Sequence, residues 1–213
     1  MERNQGSWRG AGIASALVWV IVGWAPGSEA ATVDCHRQAA ALRESLEVVA
    51  EAMIDGQPAK VRPLAERAST WWAGHRQAFG SQPQANGQIQ SMVDAARSGK
   101  ARDAARQAVQ VATTSLGWCG GIRRTDDQLM LLDFIGMTAW LRARGADMSW
   151  PGGARRTTEA LAAKLTQRKK AALARRLRDA VAGAMATPVR ANGDVRPASR
   201  LLDLVDVAER ALR

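Results

Sequence analysis

The chain has 213 residues, and 30 Lys and Arg against 20 Asp and Glu give it a net charge of +10 and a pI of about 11.0. It is rich in Ala, Leu and Arg, lacks Tyr, and scatters Val and Ile singly instead of in alternating runs, which excludes a strand-built fold and predicts an all-α one. No Gly-x-Ser-x-Gly elbow, Gly-rich phosphate loop or Cys/His pair at recognisable spacing is present, so enzyme chemistry has no support in the sequence.

Residues 1–30 read as a secretory signal peptide. Arg3 and Arg9 form a positive n-region, Ala11 to Ala25 an apolar h-region, and Ser28-Glu29-Ala30 a small-x-small cleavage site before Ala31. An uncleaved anchor is the alternative, but this apolar run is shorter than the roughly 20 residues a spanning helix needs. The mature chain is expected to begin near Ala31, in the periplasm or outside the cell, with no transmembrane anchor. There it divides by charge: residues 31–122 hold 10 basic against 8 acidic residues, whereas residues 123–213 hold 18 against 10.

Four helices are expected first. Cys35, Ala39, Leu42, Leu46, Val49 and Met53 recur at threes and fours, and the run stops at Asp55-Gly56. A second helix opens at Pro58 and puts Val61, Leu64, Ala68, Trp71, Trp72, His75 and Phe79 inward. The stretch Gly80 to Gly87 reads as a loop. Ile89, Met92, Val93 and Ala96 form a short third helix, Ser98-Gly99 breaks it, and Ala105, Ala108, Val109, Ala112, Leu116 and Cys119 stripe a fourth that ends at Gly120-Gly121. Short connections argue an up-down-up-down bundle over residues 31–122.

Both cysteines fall on apolar faces, Cys35 at the start of the first helix and Cys119 at the end of the fourth. An up-down-up-down order brings those two ends together. A Cys35–Cys119 disulfide is therefore expected, with two free buried thiols or a two-thiolate metal site as the alternatives.

Met92-Val93-Asp94-Ala95-Ala96-Arg97-Ser98-Gly99-Lys100-Ala101-Arg102-Asp103-Ala104-Ala105, continuing to Trp118-Cys119-Gly120-Gly121-Ile122-Arg123-Arg124, resembles the last helix pair of the cytochrome c-prime type bundles. The resemblance covers residues 35–124 and implies a four-helix bundle of similar shape. In that family the final helix carries Cys-x-x-Cys-His. Here only Cys119 has a counterpart: Ile122 stands at the second thiol and Arg123 at the axial histidine, so the resemblance implies a haem-free bundle.

Residues 123–213 are expected to form a further basic helical region packed on or following the bundle. Leu129 to Leu141 is apolar nearly all round and reads as a central buried helix, with an interface-lying helix as the alternative. Asp133 within it needs a partner, which the many arginines are expected to supply. A single long helix is expected from about Thr157 to about Ala186, with Leu161, Leu165, Leu173, Leu177, Val181 and Met185 on its apolar side. Lys164, Arg168, Arg175 and Arg178 then form an opposite stripe able to bind a phosphate-bearing partner, or simply a solvated face. Nucleic acid is disfavoured, because export removes it and no aromatic platform interleaves the charges. A polar linker, Thr187 to Pro197, leads to a closing amphipathic helix carrying Leu201, Leu204, Val205, Ala208 and Leu212.

The only histidines are His36 and His75. His75 is expected at the core edge and His36 at the surface. At one end of the bundle they could, with a methionine, hold copper or zinc. The sequence thus predicts an exported, non-catalytic helical binding or accessory protein that engages an anionic partner through a basic helix and holds no cofactor. The alternative is a periplasmic metal- or haem-handling protein.

Overall fold

The computed structural model describes residues 28–80 and 82–213, and every regular element in it is helical. The order is α1 (Ser28–Ile54), α2 (Val61–His75), α3 (Pro83–Arg97), α4 (Ala101–Ser115), α5 (Thr125–Ala143), α6 (Ala154–Gln167), α7 (Ala171–Met185) and α8 (Arg196–Leu212), with single 3-10 turns on either side of α2. Residues 1–27, most of the expected signal peptide, lie outside the described residues. Among the described residues no helix is long and apolar enough to cross a membrane.

In the first half α1 packs on α2 and α4, and α3 packs on α4 and α2, the neighbours that an up-down-up-down order brings together. Its core is made of small and medium side chains at helical spacing: Leu42, Leu46 and Val49 from α1, Ile89 and Met92 from α3, and Ala104, Ala105, Ala108 and Ala112 from α4 are all buried. The many alanines let the helices approach closely. The Cys35–Cys119 disulfide is formed, with Cα atoms 5.9 Å apart across 84 residues of sequence. Beside it Trp72, Phe79 and Trp118 pack with ring centroids 5.3 to 5.7 Å apart, and Trp72 donates from Nε1 to Asn86 Oδ1 at 2.7 Å. Aromatic area and a covalent tie therefore close the same end of the bundle.

α3 begins earlier than its sequence suggests. Pro83 takes the first helical turn, where its missing N–H costs nothing, and Ala85 extends the buried face of Ile89 and Met92 by one turn, so most of the expected 80–87 loop is helix. The turn from α3 to α4 is tight: Gly99 adopts φ 72°, and Lys100 N–H returns to Ala95 O at 2.9 Å.

α5 is the centre of the molecule. It touches α4 and α1 on one side and α6, α7 and α8 on the other, and one hydrophobic core runs through both halves of the chain. Leu131, Leu132, Phe134, Ile135, Ala139 and Leu141 are wholly covered, which explains an apolar run on all sides of one helix. At Gly136 α5 and α8 approach so closely that a Cβ would sit 2.7 Å from Leu202 Cδ2. A buried ion pair locks the halves together: Arg43 on α1 donates from Nη2 to Asp127 Oδ1 at 2.8 Å and from Nε to Met130 Sδ at 3.0 Å. Asp127 lies in the first turn of α5, where the helix dipole also favours its charge.

The long basic helix expected over 157–186 is two helices. α6 ends at Gln167, Lys169 turns the chain at φ 59°, and Lys170 N–H closes on Leu165 O at 2.8 Å before α7 begins. Unbroken, the helix would carry Leu177, Val181 and Ala184 past the end of the core. Folding back buries them beside Leu161 and Leu165, and that burial outweighs the roughly 1–2 kcal/mol of a non-glycine residue in the left-handed region.

Candidate functional site

The break in the basic helix dismantles the expected stripe. Lys164 is half-buried and turns inward, donating from Nζ to Thr125 Oγ1 at 2.8 Å and Gln128 Oε1 at 2.9 Å, so it fastens α6 to the first turn of α5. Arg178 on α7 makes a bidentate contact with Glu159 on α6, with Nη2 to Oε2 at 2.9 Å. That contact holds the Glu159 carboxyl below its usual range and raises the Arg178 guanidinium. Arg168 lies in the turn and Arg175 on α7, both exposed.

What replaces the stripe is a basic hairpin. Arg155, Arg156, Arg168, Lys169, Lys170, Arg175 and Arg176 are exposed and, among the described residues, make no ion pair and no side-chain hydrogen bond. Arg168, Lys169 and Lys170 are consecutive at its tip. Its local acids are few: Glu159 is occupied by Arg178, and Asp179 is the next along the chain.

The two histidines lie on different helices, His36 on α1 and His75 at the end of α2. His75 is exposed instead of packed at the core edge: its ring stacks on Trp71 at 4.3 Å, with Nδ1 2.8 Å from Trp71 O. His36 is half-buried on the first described turns of α1, next to the bridged Cys35. Among the described residues no group of three or more His, Cys, Asp or Glu side chains is placed to hold a metal ion. The thiolate-metal alternative fails outright, because both sulfurs are in the disulfide.

Asp133 departs furthest from expectation, for it has no arginine partner. Four carboxylates from two helices that flank α5 surround it: Glu47 and Glu51 on α1, Asp206 and Glu209 on α8. Burial, followed by repulsion from Glu47, Asp206, Glu209 and Glu51, raises Asp133 from its ordinary 3.8 to about 8. Glu47 is raised to about 7 by burial and then by Glu51, Glu44, Asp206 and Glu209, and Glu51 rises for the same reasons, with Asp55 its strongest charged neighbour. A protein with a net charge of +10 thus keeps an acidic seam along α1, α5 and α8, remote in sequence from its basic hairpin. No sequence pattern announces the seam, since its members are separated by up to 162 positions, from Glu47 to Glu209.

No protein-family profile matches the chain, and neither characterised proteins nor solved structures give a significant match to it.

Proposed function

We propose that the protein is an exported, non-catalytic binding or accessory module that engages an anionic surface through the α6–α7 hairpin. The observation that carries this reading is the set of seven exposed cations without carboxylate partners, three of them consecutive at the turn. Cations left unpaired on a folded scaffold create a positive field that attracts polyanions and anionic lipid headgroups. The hairpin is held rigid by the Lys164 contacts and the Arg178–Glu159 pair, so its charges are displayed without a large ordering cost. Export is supported by the tripartite segment at residues 1–30 and by an intrachain disulfide, a bond that persists in oxidising compartments.

Replacing Arg168, Lys170, Arg175 and Arg176 by Gln tests the hairpin directly. Parent and variant are compared on heparin and on vesicles of anionic or neutral lipid across a salt series. The parent is expected to bind the anionic surfaces with a steep salt dependence and the variant to elute at markedly lower salt. Equal retention refutes the reading. N-terminal sequencing of the protein from its native compartment is expected to start at or close to Ala31, and an intact Met1 on a membrane-embedded product refutes the cleaved signal peptide.

A further inference from the structure

A cleft of about 260 Å³ opens between α3, α4, the middle of α5 and the loop that leads from α5 to α6. Gln88 of α3, Gln110 and Thr113 of α4, Thr138 of α5, and Ser149 and Trp150 of the loop line it. We infer that this cleft binds one ring of a neutral carbohydrate.

A threonine inside a helix ordinarily returns its hydroxyl proton to the carbonyl four residues back. Thr70, Thr113, Thr114, Thr158 and Thr166 all do so here, at 2.7 to 3.0 Å. Thr138 is the exception. It lines the cleft, is only 1% exposed, and its Oγ1 has no hydrogen-bond partner among the described residues. A covered hydroxyl without a partner costs stability, and a ligand hydroxyl that reaches it removes the cost.

The groups around Thr138 are polar and neutral. Although 23% of the chain is charged, none of the described residues that line the cleft is. The half-buried side-chain amides of Gln88 and Gln110 and the exposed hydroxyl of Ser149 make no hydrogen bond among the described residues. Thr113 Oγ1 gives its proton to Val109 O at 2.7 Å and keeps its lone pairs free to accept. Trp150 is held in place from behind. Arg142 lies over its ring, 4.9 Å from the centroid, while the same guanidinium donates from Nη1 to Met148 O and from Nε to Thr187 O at 3.2 Å. The aromatic wall is therefore set before any ligand arrives.

This chemistry selects among ligands. An anion or an ammonium group would give up its hydration and meet no opposite charge. An apolar ligand would cover the Thr138 hydroxyl and the glutamine amides without pairing them. A peptide unit brings one donor and one acceptor strung along a chain. A pyranose instead carries several hydroxyls within the width of one ring, each both donor and acceptor, as the glutamine amides are, and its C–H face suits the negative face of an indole.

The test follows the indole N–H resonance of Trp150 in the full chain, assigned with Trp150→Phe. The probes are methyl glucoside, methyl galactoside, methyl mannoside and N-acetylglucosamine, with glucuronate as a charged sugar and N-acetylglycinamide as a peptide-like control. At least one neutral sugar is expected to give a saturable shift with a Kd of about 1 mM, and both controls to bind about tenfold more weakly. Thr138→Val keeps the shape and removes the unpaired hydroxyl, so it is expected to leave the urea midpoint unchanged or raised while weakening sugar binding about fivefold or more. Gln110→Ala, which breaks no side-chain hydrogen bond within the protein, is expected to weaken it similarly, and Arg175→Gln on the hairpin to leave it unchanged. No saturable shift with any of the four neutral sugars overturns the proposal, as does unaltered binding in both Thr138→Val and Gln110→Ala. Tighter binding of glucuronate or N-acetylglycinamide than of every neutral sugar overturns the ligand class.

Discussion

Replacing Asp133 by Asn should stabilise the protein, and by an amount set by pH. In the folded state burial and four carboxylates, Glu47, Glu51, Asp206 and Glu209, raise Asp133 from 3.8 to about 8, and no cation lies against it. The folded state therefore binds this proton more tightly than the unfolded state does. Below pH about 4 both states hold the proton and the group contributes no pH dependence; between about 4 and about 8 only the folded state holds it, so stability falls as pH rises. A shift of about four units corresponds to a ceiling of about 5–6 kcal/mol. Asp133 is half-buried at a seam that water reaches, and Glu47, raised to about 7, takes up part of the strain, so about 2–3 kcal/mol is the expected gain for Asp133→Asn at pH about 8.5. Asn keeps the shape and stays neutral. Urea unfolding of parent and variant at pH about 4, 6.5 and 8.5 should give curves that nearly coincide at the lowest pH and separate progressively above it. A difference that does not change with pH would refute the reasoning, because a packing or hydrogen-bond effect has no reason to titrate.

Three further outcomes follow from the packing. Arg43→Met alone should cost about 3–5 kcal/mol by leaving the Asp127 carboxylate buried and unpaired, whereas Arg43→Met with Asp127→Leu should recover most of the loss; a double-mutant cycle by urea unfolding measures the coupling. Lys169→Gly, at φ 59°, should raise stability by about 0.5–1 kcal/mol, the relief of left-handed strain less the added freedom of the unfolded chain, and a lowered urea midpoint would contradict the two-helix turn. Removing the bridge with Cys35→Ala and Cys119→Ala should cost about 3–5 kcal/mol, because the disulfide closes a loop spanning 84 positions; a thermal melt of the variant beside the reduced and oxidised parent checks it.

What was legible in the sequence was whatever one helix decides by itself. The stripe of Ala39, Leu42, Leu46 and Val49, whose ends Cys35 and Met53 are half-buried, most of the apolar run of α5 and the closing helix with Leu201, Leu204, Val205 and Ala208 bury residues their periodicity selects. The disulfide was legible for a related reason, since an alternating order brings Cys35 at the start of α1 to the end of α4, although α4 stops at Ser115 and Cys119 lies in the turn that follows it instead of on the helix as expected. The turn at Arg168-Lys169-Lys170 was not. It has neither Gly nor Pro, every local propensity favours continuing the helix, and only the extent of the core beneath it decides where the chain must fold back.

The same limit explains why the charges were misplaced. A helical wheel put Lys164 and Arg178 on an outward stripe, yet Lys164 is claimed by Thr125 and Gln128 across the α5–α6 contact and Arg178 by Glu159 across the hairpin. Asp133 was expected to draw an arginine because the chain has many, but abundance is not proximity: the faces of α1 and α8 that flank α5 at that level carry Glu47, Glu51, Asp206 and Glu209. Packing has thus sorted one composition into separate fields, cations at the α6–α7 tip and around the start of α4, carboxylates along the α1–α5–α8 seam. Salt should weaken the hairpin's hold on a polyanion while acting less on the half-buried carboxyl of Asp133, and pH between about 4 and about 8 should change the charge of Asp133.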